Sequence, residues 1–218
     1  MQNDQFRQHY RDKNIPAYYS GWFHLLMTTT VALSIIVYSI FRIETVQPLE
    51  WATIPVFFLL VNFVEYMGHK YPMHHPMGFL KTLYVRHSKQ HHIFFTHEYM
   101  EFESSQDFKA VLFPIVLMSF FFGLIGTPIW LLINFVFSAN VAWIFAVVAL
   151  AYFLNYEYLH FAYHVKKGSW INKIPGILKL RELHLHHHNP KYMSSKNFNI
   201  TYPICDILFK TYYKKPKE

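Results

Sequence analysis

The sequence predicts an all-α integral membrane protein: a four-helix transmembrane bundle carrying a cytoplasmic, histidine-rich helical cap. Three observations predict it. Apolar residues gather in runs long enough to cross a bilayer, charges are scarce and one-sided, and histidines cluster at the ends of the runs. Of 218 residues, 53% are hydrophobic and 15% charged, a low charge content for a soluble domain. The length suits one domain, and we take 1–218 as a single membrane domain. The only cysteine, Cys205, excludes an internal disulfide framework and a cysteine-built metal site within one chain.

Residues 1–20 form a polar, mixed-charge N-terminal segment with Arg7, Arg11 and Lys13. The stretch 22–41 has no Asp, Glu, Lys or Arg, enough apolar chain for a spanning helix. A signal peptide would have a shorter apolar core and a cleavage site, so we expect a retained span. A polar turn with Pro48 leads to the second span, 51–68. Its one charge, Glu65, lies one turn before His69, and a carboxylate at that depth requires a partner. Residues 69–107 are polar, aromatic and histidine-rich, and Pro72 should end regular helix there. Pro128–Phe137 is too short to span alone. It joins the run before it in a third span, 108–137, kinked near Gly126–Pro128. Residues 138–140 make the tip, 141–164 the fourth span, and 166–218 complete the cap.

Charge tests this arrangement. Of the 20 Lys and Arg residues, only Arg42 falls in a loop that four spans place outside. The positive-inside rule therefore puts both termini, 69–107 and 166–218 in the cytoplasm of a multi-pass membrane protein. The net charge of +7 reads as a membrane-facing and partner-facing surface, with no motif for nucleic acid. The lysines of the C-terminal KKPKE do not have the spacing of a retention signal.

Two of the 15 histidines stand alone, His9 as a solvated residue and His24 as an interfacial one. The other thirteen lie in four groups at the membrane edge or in the cap: His69, His74 and His75; His87, His91, His92 and His97; His160 and His164; and His184, His186, His187 and His188. On a helix, His184 shares a face with His187 and His188, so all three can address one point. Adjacent His187 and His188 diverge by roughly 100°, which suits two nearby ions. His87 and His91 should likewise share a face. Neutral imidazole is the commonest biological metal ligand, and so many rings exceed one ion's coordination. Imidazole suits zinc, copper, iron and nickel. The zinc-protease HExxH motif is absent, because His97-Glu98 is followed by Tyr99, Met100 and Glu101.

His69-x4-His74, His87-x3-His91-His92, His160-x3-His164 and His184-x2-His187-His188 resemble the histidine boxes of the membrane fatty acid hydroxylase/sterol desaturase superfamily. The stretches RHSKQHHIFFTHEYM and LRELHLHHHNPKYMSSKNFNITYPICDILFKTYY read like that family's later motifs. The resemblance covers about residues 50–213. Many lipid hydroxylases have two residues, not three, between the first two histidines of the second box. The resemblance implies a non-haem di-iron centre that uses O2 and two electrons to hydroxylate a fatty acyl or related lipid C–H bond. Zinc is an alternative ion in purified protein. The implied ligands are His69, His74, His87, His91, His92, His160, His164, His184, His187 and His188. His75, His97 and His186 fall outside the pattern. Glu65 and Glu157 each precede a box histidine by about a turn and are expected to accept a ligand's second ring N–H.

A lipid would enter from the bilayer past aromatic residues such as Phe94, Phe95, Tyr156 and Phe161. No dinucleotide fingerprint is present, and His75-Pro76-Met77-Gly78 lacks a glycine of the haem-binding HPGG. Electrons should therefore come from an external ferredoxin or b-type cytochrome docked on Lys166, Lys167, Lys173, Lys179 and Arg181. Asp206 is expected to cap a turn or hold a basic residue. Two other readings stay open: a lipid, sterol or carotenoid desaturase with the same site, and a metal-binding membrane transporter or sensor. A transporter should carry polar ligands deep in its spans, whereas here the mid-span residues are Phe, Leu, Val and Ile. The small size looks bacterial, implying the inner membrane, or the endoplasmic reticulum in a eukaryote.

Overall fold

The computed structural model describes residues 2–214; the KKPKE lysines after Lys214 lie outside them. The protein is all-α, with no strand among the described residues. Among the described residues, four helical runs are long and apolar enough to cross a membrane: Gly21–Phe41, Pro48–Met73, Ser105–Val136 and Ala139–Tyr163. The first and fourth lie within two residues of their expected bounds.

The α-helix of the second run ends at Gly68, the expected bound, and a π-helical turn over His69–Met73 carries it on to a stop just after Pro72. The third run departs at its start. Its continuous helix begins at Ile115, after Pro114 in extended conformation, and not at 108. Just before the expected kink at Gly126–Pro128 the helix is π-helical over Ser119–Gly126. Pro128 is the second residue of Thr127–Val136, directly after this stretch within the continuous helix, so its missing N–H removes a bond to the preceding turn.

The chain divides into two compact units, each assembled from separate stretches of sequence. One unit, Trp22–Val61 with Leu112–Glu157, is built from apolar helices. Its core includes Phe57, Ile133, Val141, Ala142 and Ile144, and a second cluster gathers Ala32, Leu150 and Leu154. The Glu50 carboxylate accepts hydrogen bonds from Ser138 Oγ and Asn140 Nδ2, which ties the polar turn to the expected tip. His24 bonds the Phe113 carbonyl through Nε2. Leu59, Leu60, Leu131, Leu132 and Phe135 remain exposed on this unit, as residues facing lipid do.

The other unit joins the N-terminal stretch to Gly21, Asn62–Val111 and the chain from Tyr158 onward. It holds every box histidine. The N-terminal helix Gln2–Asn14 is more than a solvated tail. Its Arg11 pairs with the fully buried Asp107 at 2.8 Å, and Arg7 reaches the Glu101 carbonyl. Arg7 also lies over the Phe94 ring, 4.7 Å from its centroid.

Candidate metal centre

Five imidazoles, of His69, His74, His87, His92 and His187, bring their ligand nitrogens within 4.8 Å of one another. Those of His91, His164, His184 and His188 do the same beside them. His160 borders the second group, with its Nε2 3.2 Å from that of His91. All ten rings are buried. The three histidines outside the box pattern are not in either cluster: His75 and His97 are exposed, and His186 stacks on Tyr213.

Local helix type sorts the rings. His69 and His74 are five residues apart, as are His87 and His92, and each pair begins in a π-helical segment. A π-turn closes i to i+5, so each pair serves one cluster. His160 and His164, like His184 and His188, are four apart on or just past α-helices and meet at the second cluster. His87 and His91 share a face as expected, with near-parallel rings 5.2 Å apart between centroids, although their nitrogens enter different clusters. One expectation is corrected: His184, His187 and His188 do not address one point, since His187 swings to the first cluster. The divergence of His187 from His188 is as expected. Their helix, Ile177–His187, starts after Gly176, whose φ of 85° favours a residue without a Cβ.

The outer ring nitrogens reveal the protonation pattern. Nδ1 of His69 faces the Phe198 carbonyl, that of His187 the Lys196 carbonyl, and that of His91 the Ala110 carbonyl. Those of His164 and His188 face the carbonyls of Met100 and Phe95. A carbonyl only accepts, so each of these Nδ1 atoms carries the proton and each Nε2 presents a lone pair. Ser88 Oγ donates to the Met73 carbonyl and accepts from His74 Nδ1, which gives His74 the same tautomer. Yet Nε2 of His74 lies 3.1 Å from Nε2 of His187, and Nε2 of His91 lies 3.1 Å from that of His188. Two lone pairs at that distance repel unless a cation lies between them. With imidazole nitrogens about 2.1 Å from an ion, two donors at right angles stand about 3.0 Å apart. The donor set therefore fits a metal in each cluster.

Burial supports this pattern. It pushes the His187 pKa down to about 4, although its bond to the Lys196 carbonyl opposes the shift. Burial likewise lowers His91 to about 3 and His74 to about 2, in the latter case helped by its neighbour His187. His87, His92, His164, His184 and His188 are all held well below the ordinary histidine range, chiefly by burial. Near neutral pH these rings are uncharged donors, the form a metal requires.

Glu65 does not take the expected ring N–H of His69, whose Nδ1 faces the Phe198 carbonyl. Glu65 accepts hydrogen bonds from the Ile200 and Thr201 amides and from Thr201 Oγ1. It thus reaches His69 through the backbone that carries the Phe198 carbonyl. Glu157 accepts from the Phe113 amide. Asp206 is fully buried and holds the Phe198 and Asn199 amides, a capping role on an irregular segment. Of the residues expected at a lipid channel, Phe94 and Phe95 are fully buried packing residues, and Phe95 stacks 4.2 Å from the His164 ring. Arg181 does not belong to the exposed basic face. It is buried and bonded to Asn172 and Glu101, whereas Lys166, Lys167, Lys173 and Lys179 are exposed.

Fold and site together define a polyhistidine membrane protein whose two clusters are suited to metal. Comparison with protein-family models and with curated proteins finds no match. Among solved structures, the chain is similar in fold to full-length scs7p, in which only the hydroxylase domain is visible. The TM-score is 0.62 at 18% identity, covering 89% of this chain and 67% of that one.

Proposed function

We propose that this protein is an O2-dependent lipid hydroxylase, a single membrane domain whose ten box histidines bind two iron ions. The observation that carries this reading is the facing of unprotonated nitrogens in both clusters. The likeness in fold to a hydroxylase domain supports it. The set His69, His74, His87, His92 and His187 would hold one ion. The set His91, His164, His184 and His188, with His160 beside it, would hold the other.

Bound iron supplies activation of dioxygen with two electrons, the chemistry needed to oxidise an unactivated C–H bond. The chain supplies the rest. Backbone carbonyls hold the rings in one tautomer, and burial keeps them neutral and excludes water. The four apolar helices give a lipid substrate, a fatty acyl or related chain, access from the bilayer. Lys166, Lys167, Lys173 and Lys179 offer an acidic ferredoxin or b-type cytochrome a complementary face. The positive-inside asymmetry puts this face and both clusters in the cytoplasm.

The test is to purify the protein with iron, count metals per chain and examine lipids of expressing cells by mass spectrometry. Two ions per chain and a lipid that gains one oxygen atom are expected. A lipid that instead loses two hydrogens makes the protein a desaturase. Folded protein that binds no metal would sink the reading.

A further inference from the structure

We propose that each histidine cluster is positioned by its own strap of backbone, one secured by the C-terminal segment and the other by the N-terminal helix. The two metal positions are thereby separately controlled. The inference rests on the metal reading above.

The carbonyl partners of the rings carry the argument. Lys196 and Phe198 accept from His187 and His69, both in the five-histidine cluster. Phe95, Met100 and Ala110 accept from His188, His164 and His91, all in the four-histidine cluster. None of these five bonds crosses between the sets. The strap 196–201 orients one cluster, and the strap 95–110 orients the other.

Each strap has its own fastening. In the first, Asn197 stands between the two accepting carbonyls with a φ of 55°. That left-handed conformation is costly for most side chains and open to Asn and Gly. The Asn197 side chain is itself engaged, donating to the Leu183 carbonyl and accepting from the Tyr213 amide. Asp206 holds the Phe198 and Asn199 amides and the Thr211 hydroxyl, and Glu65 holds the next two amides. In the second strap, Asp107 holds the Glu103 and Ser104 amides from within. It is clasped in turn by Arg11 and Arg7 of the N-terminal helix. A buried carboxylate with this many donors fixes backbone position, because losing one partner leaves the others buried and unsatisfied. Asp206, Asn197 and Asp107 are thus positioning residues, each assigned to one cluster.

Cobalt(II) titration of the full-length protein in detergent tests this, read by visible absorption and by bound metal per chain. Wild type should take up two ions. Asp206→Asn should lose the ion of the five-histidine site and keep the spectrum of the other. Asp107→Asn should do the reverse. A matched pair at one position separates strap geometry from misfolding: Asn197→Ala and Asn197→Gly both delete the side-chain bonds, but only glycine keeps the left-handed backbone at no cost. The alanine variant should bind cobalt about tenfold more weakly than the glycine variant at one site only. Wild type that binds no cobalt overturns the metal reading itself. Wild type with two ions, whose Asp206 and Asp107 variants lose both together or neither, overturns separate control alone. Equal affinity in the Asn197 pair removes the backbone role of that residue.

Discussion

His74 and His187 face each other across 3.1 Å through Nε2, with each Nδ1 donating to an oxygen of the chain. Neither nitrogen has a proton for the other, and His91 and His188 repeat the arrangement in the second cluster. A fold that converges lone pairs is relieved by a cation. Stripping metal with a chelator should therefore lower the melting temperature in detergent, and restoring it should raise it. At a thousandfold excess over the dissociation constant the gain is about 4 kcal/mol. An unchanged melting temperature would remove the ion from the fold's energetics.

Neighbours in sequence should behave as ligands of different sites. His187→Ala and His188→Ala each remove a ring from a separate cluster. Each should cost about one ion per chain, and weaken metal binding at that site about 100-fold, the upper range for loss of a metal's supporting groups. His97→Ala, at an exposed position, should leave metal content unchanged. Metal analysis by mass spectrometry distinguishes these outcomes, and equal metal loss in all three would contradict the cluster assignment.

The metal-free form should become less stable in acid. His91 and His187 have folded-state pKa values lowered to about 3 and about 4 by burial, against roughly 6.5 in the unfolded chain. The unfolded state then binds protons that the folded state refuses. Stability is full above about pH 6.5 and falls by roughly 1.4 kcal/mol per pH unit for each such histidine as the pH drops toward those values. Thermal melts of chelated protein from pH 7 to 5 should show this slope. A flat profile would mean that the rings are not buried as neutral groups.

The N-terminal helical run begins against the strap. A Cβ on Gly21 would overlap the Ser105 carbonyl and the Phe108 ring. Gly21→Ala should therefore destabilise the protein by about 1–3 kcal/mol, measurable as a lower melting temperature. Gly68→Ala, at a helical position where a Cβ meets nothing within 4 Å, is the control and should not lower it, since alanine is the better helix former.

The sequence alone determined the class of this protein. Apolar runs free of charge require helices, because in lipid a helix satisfies its own backbone. Lysines and arginines confined to one side set the expected orientation, and four histidine groups pointed to clusters suited to metal. These signals are side-chain composition and spacing, so they are legible without coordinates. Tertiary structure decided which ring joins which cluster. His87 and His91 stack as i,i+4 neighbours should, yet the π-helical Val85–His91 brings His92, five residues on, into the cluster of His87 and leaves His91 in the other. No residue pattern marks that widening, and i,i+4 spacing alone does not say whether two rings join one cluster, as His184 and His188 do, or two. Nor does any side chain announce the carbonyls of Phe95, Met100, Ala110, Lys196 and Phe198. Every residue has a carbonyl, and only the folded path of the chain determines which five meet an imidazole N–H and so leave the inner nitrogens bare.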